Sequence, residues 1–172
     1  MSVSGSDQTA PAIGTDDLNR TLTSTNCVFT IPDLTTEVRN ISTDLCTPKA
    51  DLIISQSPAA GTVLAQTDAA QNVTVTVTVK DLCGNESTKE VVVVVPTMMT
   101  VTATATPAVI CNGDTSQLSA TAANVVGTAV YAWAPATELS SATIANPTVT
   151  LTASGAATTT TYTVQVTDDN GC

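Results

Sequence analysis

The sequence of 172 residues contains no histidine, one tryptophan, one phenylalanine and two tyrosines. Without histidine, the commonest general base, the commonest protein metal ligand and the Ser-His-Asp arrangement are all missing. Lys and Arg number five against 15 Asp and Glu, a formal charge of −10. So few cations cannot track a phosphate backbone, so nucleic acid is not an expected partner. No apolar run is long enough to span a membrane. There is no Gly-x-Ser-x-Gly, P-loop or HExxH motif. The sequence therefore predicts no enzyme, no catalytic residue and no cofactor-binding residue. Apolar residues at helical spacing are also missing. What the chain has instead is threonine, about a fifth of all residues, and an apolar fraction built from Val, Ala, Leu and Ile. Val and Thr are β-branched and favour strands. The predicted fold is all-β, with two small cores.

Residues 1–7 are polar and read as a flexible segment, and 8–96 form a first block. Its predicted strands are Cys27–Ile31, Asp51–Gln56, Thr62–Gln66, Asn72–Lys80 and Lys89–Val95. Strict alternation in "VTVTVTV" gives one Val face and one Thr face. The run "VVVVV" has no polar face, so it is either buried on both sides or an edge that must be covered. Pro96 punctuates the chain, and 97–172 form a second block. Strands are predicted there at Thr100–Thr106, Ser116–Ala122, Ala129–Ala134, Thr148–Ala153 and Thr160–Thr167. Short strands with turn signals between them point to β-sandwiches.

The first block resembles a hyalin-repeat (HYR) domain, an immunoglobulin-like extracellular module. Five stretches carry the resemblance: Asp7-Gln-Thr-Ala-Pro-Ala-Ile13, Val28-Phe-Thr-Ile-Pro-Asp33, Thr43-Asp-Leu-Cys46, Gln56-Ser-Pro-Ala-Ala-Gly61 and Val79-Lys-Asp-Leu-Cys-Gly-Asn85. That family often carries two further cysteines, at positions that are Thr15 and Lys89 here. The second block is similar to PKD-like or immunoglobulin-like repeats of large surface adhesins from gliding bacteria. It shares Pro107-Ala-Val-Ile-Cys-Asn-Gly-Asp114, Tyr131-Ala-Trp-Ala-Pro135, Ala145-Asn-Pro147 and the closing stretch Thr160 to Cys172. Such repeats continue into one more strand after the Asn170-Gly171 turn. The resemblance thus implies two tandem immunoglobulin-like sandwiches, the second short of its last strand. The unpaired edge would lie beside Val164 and Val166 and invite strand addition or self-association.

No Cys-x-x-Cys or zinc-finger spacing occurs among Cys27, Cys46, Cys83, Cys111 and Cys172, all near turn signals. That placement suits structural disulfides in an oxidising, extracellular setting. In a Greek-key sandwich Cys46 and Cys83 fall at the same end, which predicts a bond between them, with Cys27–Cys46 as the alternative. Cys111 and Cys172 are the two cysteines of the second block, but the same topology sets them at opposite ends, and their pairing stays open. Trp133 and Tyr162 read as core residues. No metal ligand and no cofactor is predicted. Asp16-Asp17 and Asp168-Asp169-Asn170 leave calcium open, although turn chemistry and solvation explain both groups.

The function implied by these resemblances is structural and adhesive: a stalk or spacer in a large secreted protein at a bacterial cell surface. Its partners would be neighbouring domains of the same parent chain and an unknown surface glycan or protein. The opening "MSVSGSDQTAP" has no apolar core for a signal peptide, so a cut from a longer precursor is expected. The alternative is an accessory, glycan-binding module of a secreted hydrolase.

Overall fold

The computed structural model describes residues 7–24, 26–152 and 157–172. Of the segment 1–7 expected to be flexible, residues 1–6 lie outside the described residues. The chain is mostly β and resolves into two compact units, each around its own apolar cluster. The first comprises residues up to Ser24 and Val28–Thr97; the second comprises Met98–Cys172 together with Asn26 and Cys27. A purely linear division of the sequence does not anticipate that last pair.

In chain order the first unit contains β1 (Ala12–Ile13), β2 (Arg20–Thr21), β3 (Phe29–Thr30), α1 (Thr35–Ile41) and β4 (Ser42–Thr43). A 3-10 turn (Lys49–Asp51), β5 (Ile53–Ser57), β6 (Val63–Leu64), β7 (Gln71–Lys80) and β8 (Glu86–Val95) follow. Its main sheet has the order β2-β8-β7-β5, with β2 parallel to β8 and the other neighbours antiparallel. β1 pairs with β4, and β3 with β6. Alternation aims Val75, Val77 and Val79 of β7 and Val91, Val93 and Val95 of β8 into one core, completed by Phe29, Ile31, Leu34, Val38 and Leu52. The five-valine run is held between two neighbours. Its even members are half-buried, and the Val92 N–H donates to Asn19 Oδ1 at 2.6 Å. This strand is thus covered rather than left as an edge.

The helix is a departure from the sequence expectation. Its apolar contacts, Leu34 and Val38, stand four apart and are fully buried. The Asp33 carboxylate accepts the Thr35 N–H at 2.9 Å, and Gln56 Oε1 accepts the Leu34 N–H at 2.8 Å. The Arg20 guanidinium forks onto Glu37, tying β2 to α1. Lys89 lies opposite Val77, and its Nζ donates to the Gly14 carbonyl at 3.0 Å. A charge-assisted hydrogen bond therefore joins the neighbourhoods of positions 15 and 89, where the HYR resemblance leads one to expect cysteines.

The second unit contains β9 (Thr100–Thr106), β10 (Thr115–Ala123), β11 (Val130–Ala134), β12 (Thr148–Thr150) and β13 (Thr163–Thr167). One sheet has the order β12-β10-β9 and the other is β11-β13, all antiparallel. Leu118, Ala120, Trp133 and Val149 form the core, with Tyr131, Leu139, Tyr162 and Val164 packed against it. The predicted strand Thr148–Ala153 is realised over its first three residues; Ala153 lies outside the described residues.

Candidate functional site

Two places concentrate unusual chemistry, one in each unit. In the first unit three turns meet. Asn85 caps its own turn, its N–H donating to Asp81 Oδ1 at 2.8 Å and its Nδ2 to Asp81 Oδ2 at 2.7 Å. The same Nδ2 reaches the carbonyls of Asp7 and Thr9 at 3.1 and 3.3 Å, fastening the start of the chain to the β7–β8 turn. Asp44 Oδ2 accepts the N–H groups of Cys46 and Thr47, and Thr47 Oγ1 accepts the Leu82 N–H at 3.2 Å. These bonds bring together Asp7, Asp44 and Asp81, each of which offers one carboxylate oxygen within 4.8 Å of the others. Sequence reasoning missed them, because each aspartate alone carries only a local turn signal.

Cys46 and Cys83 sit on these same turns, as the Greek-key expectation requires, but the predicted bond between them is not formed. Both are exposed free thiols. The turns are linked instead by the Thr47–Leu82 hydrogen bond. The negative charge of Asp7, foremost, holds the Cys46 thiol above its ordinary range. That disfavours the thiolate needed to attack a disulfide.

The cysteine pairing of the second unit also needs correction. Cys172 is bonded to Cys27, with 4.7 Å between their Cα atoms, and Cys111 is an exposed free thiol. Cys111 precedes the start of β10, whereas Cys172 lies beyond the end of β13 that faces the β10–β11 turn, where Asp168 accepts the Val126 N–H. The nine residues of β10 separate the two by roughly 30 Å, far beyond disulfide reach.

Asp168 organises this corner. Its Oδ1 accepts the N–H groups of Asn170 and Cys172, both at 2.9 Å. Asp169 Oδ2 accepts the Thr128 N–H, and a side chain at Gly127, where φ is +73°, would collide with that carboxylate. This acidic stretch, left open for calcium by the sequence, is thus occupied by backbone donors.

The hydrogen bond from the Cys172 N–H, foremost, holds the Asp168 carboxyl below its ordinary 3.8. A depressed folded value means that the ionised form stabilises the fold. That contribution is present above about pH 4 and is lost as the pH falls through the folded value. Asp168→Asn is therefore expected to lower the melting temperature of the second unit at pH 7, with the gap closing as the pH falls through the folded value. A gap independent of pH would show that the charge plays no part.

The second place is the face of β9. Register sets Ala105 opposite Leu118 and Ala103 opposite Ala120, so Val101, Ala103 and Ala105 share the core-facing side of their sheet. Yet every residue of β9 is exposed. A groove of about 210 Å³ runs there, lined by Ala103, Ala105, Leu118, Trp133, Thr160 and Tyr162 among others. In the facing sheet the outer side of β11 is met by the Ala142 carbonyl, which accepts the Trp133 N–H at 2.8 Å. β13 pairs with β11 alone among the described strands. Val164 and Val166 turn inward, half-buried and buried respectively, so what β13 leaves open is its backbone. Trp133 is 5% exposed and its Nε1 donates to the Ile144 carbonyl at 2.9 Å; Tyr162 packs beside it. The chain matches no protein-family model and no curated protein.

Proposed function

We propose that this chain is a non-catalytic pair of β modules, immunoglobulin-like in their sandwich arrangement. It would act as a stalk or spacer in a secreted surface protein engaged in adhesion. The observation that carries the proposal is the open backbone of β13 beside the uncovered row Val101, Ala103 and Ala105. Such an edge accepts one more strand, and the small uncharged lining fits an extended segment of alternating Thr and Val. The disulfide supports an extracellular setting. Burial of Trp133 in the core leaves it no face for stacking on a sugar, which weighs against the glycan-binding alternative.

Appending a ten-residue strand of alternating Thr and Val after Cys172 tests the edge. Two inward valines should raise the stability of the second unit by roughly 3 kcal/mol and suppress association in light scattering. A short form that is monomeric and equally stable would remove the edge from the proposal. A glycan array tests the rest: saturable binding to one glycan class, lost in Trp133→Phe, would replace the spacer by the lectin-like alternative.

A further inference from the structure

We propose that Asp7, Asp44 and Asp81 form a calcium site at one end of the first unit. Three observations converge on it. The first is geometry. One oxygen from each carboxylate lies within 4.8 Å of the other two. Calcium binds oxygens at about 2.4 Å, so oxygens on opposite sides of one ion stand about 4.8 Å apart. Three oxygens this close can share one ion after shifts of a few tenths of an ångström in their side chains.

The second observation is the state of the oxygens. Asp7 Oδ2 and Asp44 Oδ1 each expose less than 1 Å² and have no hydrogen-bond partner. A buried acceptor without a donor is costly, and a buried carboxylate oxygen more so. The opposite oxygens of the same two groups are used normally, Asp7 Oδ1 by the Thr9 N–H and Asp44 Oδ2 by the Cys46 and Thr47 N–H groups. Each carboxylate is thus oriented by its turn through one oxygen, while the other is directed away from solvent, with the weakly donating Cys46 thiol as the nearest polar group to Asp7. Asp81 is itself 1% exposed, and its orientation is set by Asn85.

The third observation is the charge balance. Three carboxylates in contact repel unless a cation sits among them. The two ion pairs among the described residues, Arg20–Glu37 and Lys80–Glu86, involve none of the three. A divalent cation supplies both the missing charge and a partner for the orphaned oxygens. The donor set is oxygen throughout, which suits a hard cation such as calcium and not zinc or copper. Further ligands are at hand, since carboxylates also bind bidentately. A hollow of about 220 Å³ lies beside Asp44, lined also by Thr9, Ala12 and Thr43.

The test uses the whole chain, stripped with chelator and dialysed. Calcium chloride titrated into it should give one saturable event per chain. At a hundredfold excess over the dissociation constant, the melting temperature of the first unit should rise on the order of 10 °C. Asp7→Asn and Asp44→Asn should each abolish that rise. Each should also melt no lower than the wild type in the absence of calcium, because repulsion is relieved; this second readout separates a cation site from three carboxylates that merely cap turns. No saturable binding by the wild type up to millimolar calcium would overturn the proposal, whatever the variants do. So would an undiminished calcium-dependent rise in both variants.

Discussion

Replacing Trp133 by alanine is expected to unfold the second unit while the first still melts as a cooperative unit. The core of the second unit is small. Beside Trp133 its buried members are Leu118, Ala120 and Val149, one of them no larger than a methyl group. Removing a buried tryptophan typically costs about 3–5 kcal/mol, and small domains hold only about 5–15 kcal/mol in total. The substitution also strands the Ile144 carbonyl that accepts the indole N–H. Trp133→Phe keeps the ring and loses only that bond and some volume, so a loss of about 1–2 kcal/mol is expected. Urea unfolding followed by far-ultraviolet circular dichroism reads both units at once. A Trp133→Ala protein with two transitions and under 1 kcal/mol of change would show that the groove beside β9 lets the core collapse around the gap.

The second large effect belongs to the Cys27–Cys172 bond. It closes a ring across a sequence separation of 145 residues. On the chain-entropy model a ring of that length stabilises by roughly 5 kcal/mol against complete unfolding. With the first unit still folded, the freed chain is shorter and the gain falls to about 4 kcal/mol. Asn26 and Cys27 both have positive φ, 50° and 61°, a conformation costing non-glycine residues about 1–2 kcal/mol each. Reduction lets that turn relax, which offsets part of the loss. Native protein should therefore present three reactive thiols, those of Cys46, Cys83 and Cys111, and five after reduction and unfolding. Cys172→Ser should match the reduced wild type in stability. A peptide map joining Cys172 to Cys111, or five thiols in unreduced native protein, would contradict the pairing.

What was legible in the sequence follows from the range of the forces involved. The hairpin of β7 and β8 is readable because alternation and the absence of Gly or Pro act residue by residue. The ends of β9 coincide with the expected ones, and those of β10 and β11 lie within a residue of them, because Asn-Gly, Pro and Asn-Pro punctuate that part of the chain. Helix α1 was hidden. Seven residues with two adjacent threonines carry no helical periodicity of their own, and the helix exists because Leu34 and Val38 find a core and Gln56 holds its start. The two-residue strands β1, β2 and β4 were hidden for the same reason, since each is fixed by its partner. The bond between Cys27 and Cys172 and the meeting of Asp7, Asp44 and Asp81 are long-range facts. In each case the local residues read correctly as turns, and only the folded chain decides which turns become neighbours.

The ring closed by Cys27 and Cys172 also decides how the chain carries a load. Tension applied between Asp7 and Cys172 runs along the backbone to Cys27, crosses the sulfur bridge and leaves at Cys172. Everything from Val28 to Gly171 hangs beside that route as slack. The long β7–β8 hairpin, helix α1 and the strands described in the second unit lie in the unloaded loop, and among the described strands β1 and β2 feel the pull. The chain inside the ring, a sequence separation of 145, would otherwise pay out on the order of 500 Å of contour length. Under oxidising conditions the chain is thus a short tether, and reduction turns it into a long compliant one.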